Sequence, residues 1–284
     1  MMLDVLLITI TLVVLILSSI NDIRIREVPD WFSYGLIFAA FGVRTIFSLS
    51  LGWEILVSGI LGFLVFLALA FLFYYTGQWG GGDSKLLMGM GAVIGISIPF
   101  SSNSFTLLWF LLALLLFGAI YGIIWMIVLA IIRRKIFWKN FKVSIKKKKK
   151  LHFVLIITTF IFIILAILQP YLTPLIFFPL GFLYLLVFVN VVEKSCFIKR
   201  IPASKLTEGD WLAKDVKLKN KVVMTAKTLE REDVWKLKYL EVNENLKPVT
   251  IKEGVPFVPS FLIAYIIITF FGPLLSKLFT TLFN

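Results

Sequence analysis

The sequence predicts an α-helical polytopic membrane protein with about eight transmembrane helices and a small α+β cytoplasmic insert before the last helix. Three observations support this fold class. Hydrophobic residues make up 60% of the 284 positions, and the mean hydropathy is +0.96, whereas soluble domains are roughly 45–50% apolar. Apolar runs of about 18 residues or more recur, and each can cross a hydrocarbon core of about 30 Å. Residues 193–255, in contrast, form a long charged stretch of soluble composition.

The first predicted span, Leu3–Ile20, has no basic segment before it, so its cleavage as a secretory signal is not expected. The fourth span is short and rich in glycine, as expected of a helix that packs closely inside a bundle. The second to eighth spans are predicted at Trp31–Leu51, Ile55–Tyr75, Leu86–Pro99, Leu107–Ile132, Leu151–Leu168, Leu172–Val192 and Pro256–Phe279.

The positions of Lys and Arg predict the orientation of these spans. The turns between spans two and three, four and five (residues 101–104) and six and seven contain neither residue, whereas the alternate loops are basic. By the positive-inside rule, the basic loops are cytoplasmic. The loops after the first and third spans, which carry Arg24, Arg26 and Lys85, therefore face the same side. Arg44 is an exception inside the second span, and we expect its side chain to extend toward the outer interface.

Two carboxylates lie at this predicted cytoplasmic boundary. Asp22 follows the first apolar run, and Asp83 ends the sequence Gly80-Gly81-Gly82-Asp83, which reads as G-x-G-D. The successive glycines predict a sharply bent loop with positive φ and a close backbone approach, rather than a helix end that carries Asp83. Two carboxylates in separate segments at one boundary suggest acid/base chemistry on a shared water. Glu27 and Asp30 are the alternatives to Asp22.

These motifs give the chain a family resemblance. Lys85 lies two residues after Asp83, and the segment Gly254–Phe261 leads into the last apolar run. With Asp22 and the G-x-G-D sequence, the chain resembles the archaeal preflagellin and prepilin peptidases, which are G-x-G-D intramembrane aspartic proteases.

The resemblance implies that Asp22 and Asp83 are the catalytic pair and that Gly80, Gly82 and Lys85 are motif residues around them. It also implies a substrate, a preflagellin or type IV pilin-like precursor whose short basic leader, a class III signal peptide, is removed. The enzyme would then be a multi-pass protein of the cell membrane with its active site at the cytoplasmic face.

The resulting domain organisation has five parts. They are a catalytic membrane core at 1–132, a basic cytoplasmic loop at 133–150, helices six and seven at 151–192, a soluble cytoplasmic insert at 193–255 and the last transmembrane helix at 256–284. Within the insert we expect strands at Val216–Thr225 and Val249–Lys252 and a helix near Leu229–Leu240.

No cofactor or metal is expected. The single cysteine, Cys196, excludes an internal disulfide and a Cys-x-x-Cys metal site. The single histidine, His152, begins an apolar run beside the lysine tract, where we interpret it as an interfacial helix-end residue. A Ser-His-Asp mechanism or a His-ligated metal is therefore poorly supported.

The net charge of +13 comes in part from five consecutive lysines. We interpret this tract as a positive-inside signal, and contact with anionic lipid is the second interpretation. Nucleic-acid binding is not expected, because no aromatic stacking platform accompanies the lysines. The residues concerned are Lys146, Lys147, Lys148, Lys149 and Lys150.

Two other function classes remain open from the sequence. In a transporter or channel, Asp22 and Asp83 would be ion-relay carboxylates, although relay groups usually lie nearer mid-membrane and no matched pair of interrupted helices is visible. A protease of the presenilin or signal-peptide-peptidase type pairs a Tyr-Asp sequence with the G-x-G-D of the next helix. Here Asp22 follows Asn21 and precedes two further spans. The N-methylation and cysteine-rich insert of bacterial prepilin peptidases are not expected with Cys196 alone.

Overall fold

Helices dominate the structure, a computed structural model that describes residues 2–99, 105–218 and 221–283, with side chains up to residue 272. Six of the helices in the described residues are long and apolar enough to cross a membrane. The predicted class, a helical polytopic membrane protein with a small strand-containing region before the last helix, is therefore confirmed. The predicted turn at residues 101–104 lies outside the described residues.

The chain forms two compact units. The first comprises Met1–Ile123 and Val255–Asn284, and the second comprises Ile124–Gly254. The first unit holds the helices that carry the candidate carboxylates. The helices of this unit are α1 (Met2–Ile25), α2 (Asp30–Leu51), α3 (Glu54–Tyr75), α4 (Gly81–Ile94), the first part of α5 (Thr106–Ile132) and α10 (Val258–Phe283). The remainder of α5, from Ile124, belongs to the second unit.

Two left-handed residues end the helices that precede the candidate site. Arg26, at φ 62°, follows α1, and its N–H donates to the carbonyl of Asp22 at 3.1 Å. Gly77, at φ 67°, follows α3, and the N–H groups of Gln78 and Trp79 both donate to the carbonyl of Phe73. Such a residue after the last helical turn satisfies otherwise unpaired carbonyls and reverses the chain.

Helix α4 packs directly against the backbone of α3. A Cβ built on Gly91 would lie 2.5 Å from the carbonyl oxygen of Gly62, so the two helices approach at glycines that no larger residue could replace without movement. Around this contact, large side chains fill the core of the first unit. They include Leu15, Leu36, Phe66, Met90, Phe110 and Phe261.

The short fourth span departs from the prediction. Helix α4 has only 14 residues, which at 1.5 Å per residue is about 21 Å, too short for a hydrocarbon core of about 30 Å. It begins at Gly81 instead of Leu86 and ends at Ile94 instead of Pro99. The apolar part of α10 that the structure describes, Val258–Gly272, is also shorter than the six candidate spans, although the helix continues to Phe283.

The second unit contains the basic segment, two apolar helices and the insert. The residues expected to form a loop at 133–150 are instead mainly helical, in α6 (Arg134–Lys147). Helix α7 spans Lys149–Leu168, a 3₁₀ helix follows at Pro170–Phe177, and α8 spans Phe178–Val191. The 3₁₀ helix, α8 and the π-helical turn at Val192–Cys196 form one continuous helical run, Pro170–Cys196, which is the sixth candidate membrane span. Arg133 donates to the carbonyl of Ile198 at 2.7 Å, which connects the start of this unit to the first strand of the insert.

The insert is a small α+β module, as predicted. Its central strand β5 (Val249–Lys252) pairs antiparallel with β1 (Ile198–Ile201) and β2 (Trp211–Leu212). Where one strand was expected at Val216–Thr225, there is a hairpin of β3 (Val216–Leu218) and β4 (Lys221–Met224). The predicted helix near Leu229–Leu240 is α9 (Arg231–Glu244), which buries Val234, Leu237 and Leu240 against the module.

Candidate active site

Asp22 lies in the last turn of α1 and is only 7% exposed. Its carboxylate accepts the N–H of Val258, the first residue of α10, at 2.9 Å. The first amides of a helix have no partner within the helix and carry partial positive charge. The first amide of α10 therefore provides a donor that holds a buried carboxylate at a fixed position.

Asp83 is the third residue of α4 and lies in its first turn, directly after Gly80, Gly81 and Gly82. The expectation of a positive-φ loop rather than a helix end is therefore wrong. Gly80 is extended, with φ −72° and ψ 165°, and Gly81 and Gly82 are helical. The glycine of this stretch that needs positive φ is Gly77.

The structure brings the two predicted carboxylates together. Asp22 and Asp83 lie on segments that are in contact, since a Cβ on Gly82 would lie 3.1 Å from the Cβ of Val28 in the connection after α1, although α2 and α3 separate the two residues along the chain. The two intervening helices return the chain to the same end of the bundle. The two carboxylates thus come from α1 and α4, and the start of α10 binds one of them, Asp22.

The alternative carboxylates occupy different surroundings. Asp30 begins α2 and forms an ion pair with the motif residue Lys85 at 2.6 Å, with 61% of the Asp30 side chain exposed. Glu27 is also exposed. Among the three acidic residues of this connection, Asp22 is the buried one. The ion pair connects α2 to α4 at an exposed position, where such a pair contributes only roughly 0–1 kcal/mol to stability.

Gly82 shows the close approach that the sequence predicted. A Cβ at this position would lie 3.1 Å from the Cβ of Val28, in the connection between α1 and α2. Gly80 differs, because the nearest atom to its built Cβ is Oδ2 of Asp83 at 3.9 Å. The requirement for glycine is therefore steric at Gly82 and weak at Gly80.

Aromatic contacts connect the glycine segment to the start of α10. The Trp79 ring lies 5.3 Å from the ring of Phe257 and 5.7 Å from that of Phe261, measured between centroids. It also contacts Phe73 at the end of α3. Because Phe257 adjoins the amide that binds Asp22, the start of α10 contacts the segments on which both carboxylates lie.

Sequence reasoning missed two participants in this arrangement. The amide at the start of α10 is a backbone group and leaves no signal in residue type. Arg44 did leave one, as a charge within an apolar span, a pattern that often marks a functional group. The expectation that its side chain extends to the outer interface is wrong, because Arg44 is 5% exposed and donates to backbone carbonyls of α4.

Among the described residues, no group of three or more His, Cys, Asp or Glu side chains is placed to hold a metal ion. His152 lies in α7 of the second unit, where its ring contacts Tyr184 edge-on at 5.6 Å. Cys196 is buried with a free thiol.

Comparison with known proteins agrees with the motifs. The model of the Type IV leader peptidase family matches residues 9–127, which include both Asp22 and Asp83. The preflagellin peptidase of Methanococcus voltae is 34% identical over 151 residues, 50% of this chain and 61% of that protein. That of Methanococcus maripaludis is 34% identical over 85 residues, 28% of this chain and 35% of that protein. The chain thus spans about three fifths of one of these relatives and about a third of the other. The resemblance predicted from the sequence is confirmed.

Proposed function

We propose, from the match of residues 9–127 to the Type IV leader peptidase family, that this protein is a membrane-embedded aspartic endopeptidase. Its substrate is a preflagellin or pilin-like precursor, from which it removes the short basic leader. The observation that carries the proposal is the placement of two carboxylates from separate helices at one end of the bundle. Asp22 is buried in the last turn of α1, and Asp83 lies in the first turn of α4, where Gly82 packs against Val28 in the connection after Asp22. Polar groups buried in a membrane protein are seldom retained without a function.

The chemistry follows from two neighbouring carboxylates that hold one proton between them. The ionised carboxylate takes a proton from a water molecule, and the water oxygen bonds to the scissile carbonyl carbon. The protonated carboxyl donates to the carbonyl oxygen as negative charge develops there. Collapse of the tetrahedral intermediate breaks the C–N bond, and the departing amine takes up the proton that the first carboxylate had removed from water. The resting proton belongs to the pair and not to one residue.

The location of the pair suits this substrate. A leader with Lys or Arg before an apolar helix keeps its basic part in the cytoplasm. The bond between leader and helix then lies at the cytoplasmic boundary, the side to which the basic loops assign Asp22 and Asp83. Lys85 and Asp30 form an ion pair, so the positive charge of Lys85 near the candidate site is compensated where a basic leader would approach.

The test replaces each carboxylate with its amide. Asp22→Asn and Asp83→Asn should each abolish cleavage of a preflagellin-like precursor by the full-length protein, because an amide cannot ionise to activate water. Product formation is measured on gels, and the yield of membrane-inserted, monodisperse protein is measured for every variant.

Asp30→Asn and Glu27→Gln are the matched controls, since both change exposed carboxylates of the same connection. Both should retain most of the activity. Substantial cleavage by either Asp22→Asn or Asp83→Asn would rule out the assignment. Loss of activity only in parallel with loss of folded protein would instead indicate a structural role for the pair.

A further inference from the structure

Arg44 is a buried cation of the first unit, and its guanidinium is directed at the end of α4 that lies opposite Asp83. Its Nε donates to the carbonyl of Ala92 at 2.8 Å and its Nη2 to that of Val93 at 2.7 Å. Its Nη1 donates to the carbonyl of Ile55 in α3 at 2.8 Å. One side chain therefore connects α2, α3 and the last turn of α4.

The shortness of α4 explains why these bonds matter. A helix of 14 residues extends about 21 Å, so if Asp83 lies at the cytoplasmic boundary, the other end stops inside the hydrocarbon layer. The last carbonyls of a helix have no partner within it, and an unsatisfied carbonyl is strongly unfavourable where no water can reach it. Arg44 satisfies two of them and places positive charge at the negative end of the helix dipole.

The surrounding residues are shaped to admit this side chain. A Cβ on Gly59 would lie 2.5 Å from Cδ of Arg44, and one on Gly95 would lie 2.8 Å from Nη2. Beyond the helix end, the N–H of Ile96 donates to the carbonyl of Ser58 at 3.0 Å. The end of α4 is thus held to both neighbouring helices.

We infer that Arg44 is a positioning residue for Asp83, which holds α4 at a fixed depth and rotation by capping its buried end. The inference rests on the proposed function, in which the two carboxylates must meet on one water. Since α4 is a single rigid helix, a shift at its capped end moves Asp83 at the other end. A misplacement of about 1 Å can lower a rate roughly 100-fold.

The first readout is steady-state cleavage of a preflagellin-like precursor by the full-length protein. In Arg44→Met, kcat should fall by roughly 10- to 100-fold, while KM stays within about twofold because substrate contacts are unchanged. Arg44→Lys should recover part of the loss, since an ammonium is a point charge and cannot serve three carbonyls as a planar fork does. Gly59→Ala, which displaces the Arg44 side chain without removing it, should also lower kcat.

The matched controls lie on the same helix. Ser48 is buried one turn after Arg44, and its hydroxyl donates within α2, to the carbonyl of Thr45. Nothing lies within 4 Å of a Cβ built on Gly42. Ser48→Ala and Gly42→Ala should therefore cleave at close to the wild-type rate.

A second readout does not depend on activity. In a Cys196→Ala background, Gly81→Cys places a thiol at the start of α4, and its reaction rate with a membrane-impermeant maleimide reports how firmly that helix is held. Adding Arg44→Met or Gly59→Ala should raise this rate severalfold, and adding Ser48→Ala should not.

If the wild type cleaves no precursor, the proposed function fails, and the maleimide rates still decide whether Arg44 holds α4. An unchanged kcat in folded Arg44→Met, a change confined to KM, or an unchanged maleimide rate would each overturn the inference. If Arg44→Met does not fold, Arg44→Lys and Gly59→Ala provide the same comparison.

Discussion

At the scale of single residues, the glycines of the G-x-G-D sequence are not equivalent. Gly82 faces Val28 in the connection that follows Asp22, with its built Cβ 3.1 Å from the Cβ of Val28. Gly81 has its nearest neighbour, Cε2 of Tyr74, at an ordinary 3.7 Å. Only the first of these contacts requires a neighbour to move if a methyl group is added.

Gly82→Ala should accordingly slow leader cleavage by about tenfold, because it pushes the segment after Asp22 away from α4. Gly81→Ala is the control and should remain close to wild type, since alanine is a good helix former and meets no close atom there. Initial cleavage rates of the purified proteins give the comparison. Equal rates for the two variants would mean that the Val28 contact has no part in assembling the site.

At the scale of secondary-structure elements, the start of α10 contacts both segments that carry the candidate carboxylates. Its Val258 amide binds the carboxylate of Asp22, and its Phe257 and Phe261 rings pack on Trp79 of the glycine segment. Gly118 of α5 also lies against it, since a Cβ there would be 2.6 Å from the Phe257 ring. The last helix thus contributes a backbone donor and packing to a candidate site whose carboxylates lie in the first 83 residues.

Val258→Pro tests the donor directly. Proline has no N–H but is well tolerated at the first position of a helix, so α10 should form without its bond to Asp22. We expect a loss of roughly tenfold or more in kcat. Val258→Ala removes the buried side chain, keeps the amide and should have the smaller effect. If alanine reduces cleavage as much as proline does, packing and not the hydrogen bond is the contribution of this residue.

At the scale of the whole molecule, the membrane topology remains a prediction from the distribution of Lys and Arg. We expect residues 133–150 and 193–255 to be cytoplasmic. In a Cys196→Ala background, single cysteines at the exposed positions Lys147 and Val242 should react with impermeant maleimide only after cells are opened. A cysteine at Trp53, in the turn after the second span, should react from outside. The opposite pattern would place the candidate pair on the external face.

The sequence alone determined the membrane class, the main helices and the candidate carboxylates. Hydrophobic run length is a local property, so Trp31–Leu51 and Leu107–Ile132 were predicted within one residue of the observed helices. Asp22 and Asp83 could be assigned to one face because two crossings lie between them. Their role as the catalytic pair stays a proposal, supported by the family match.

The tertiary structure alone decided how these residues are held. The bond between Asp22 and Val258 joins residues 236 positions apart, and the bonds of Arg44 to α4 join residues 48 and 49 apart. Neither can be inferred from residue type, because a backbone amide is present at almost every position and an arginine can bury or extend its side chain. The conformation of the glycines was misjudged for a related reason. Glycine permits positive φ at Gly77 and close helix packing at Gly82, and only the contact with Val28 distinguishes the two uses.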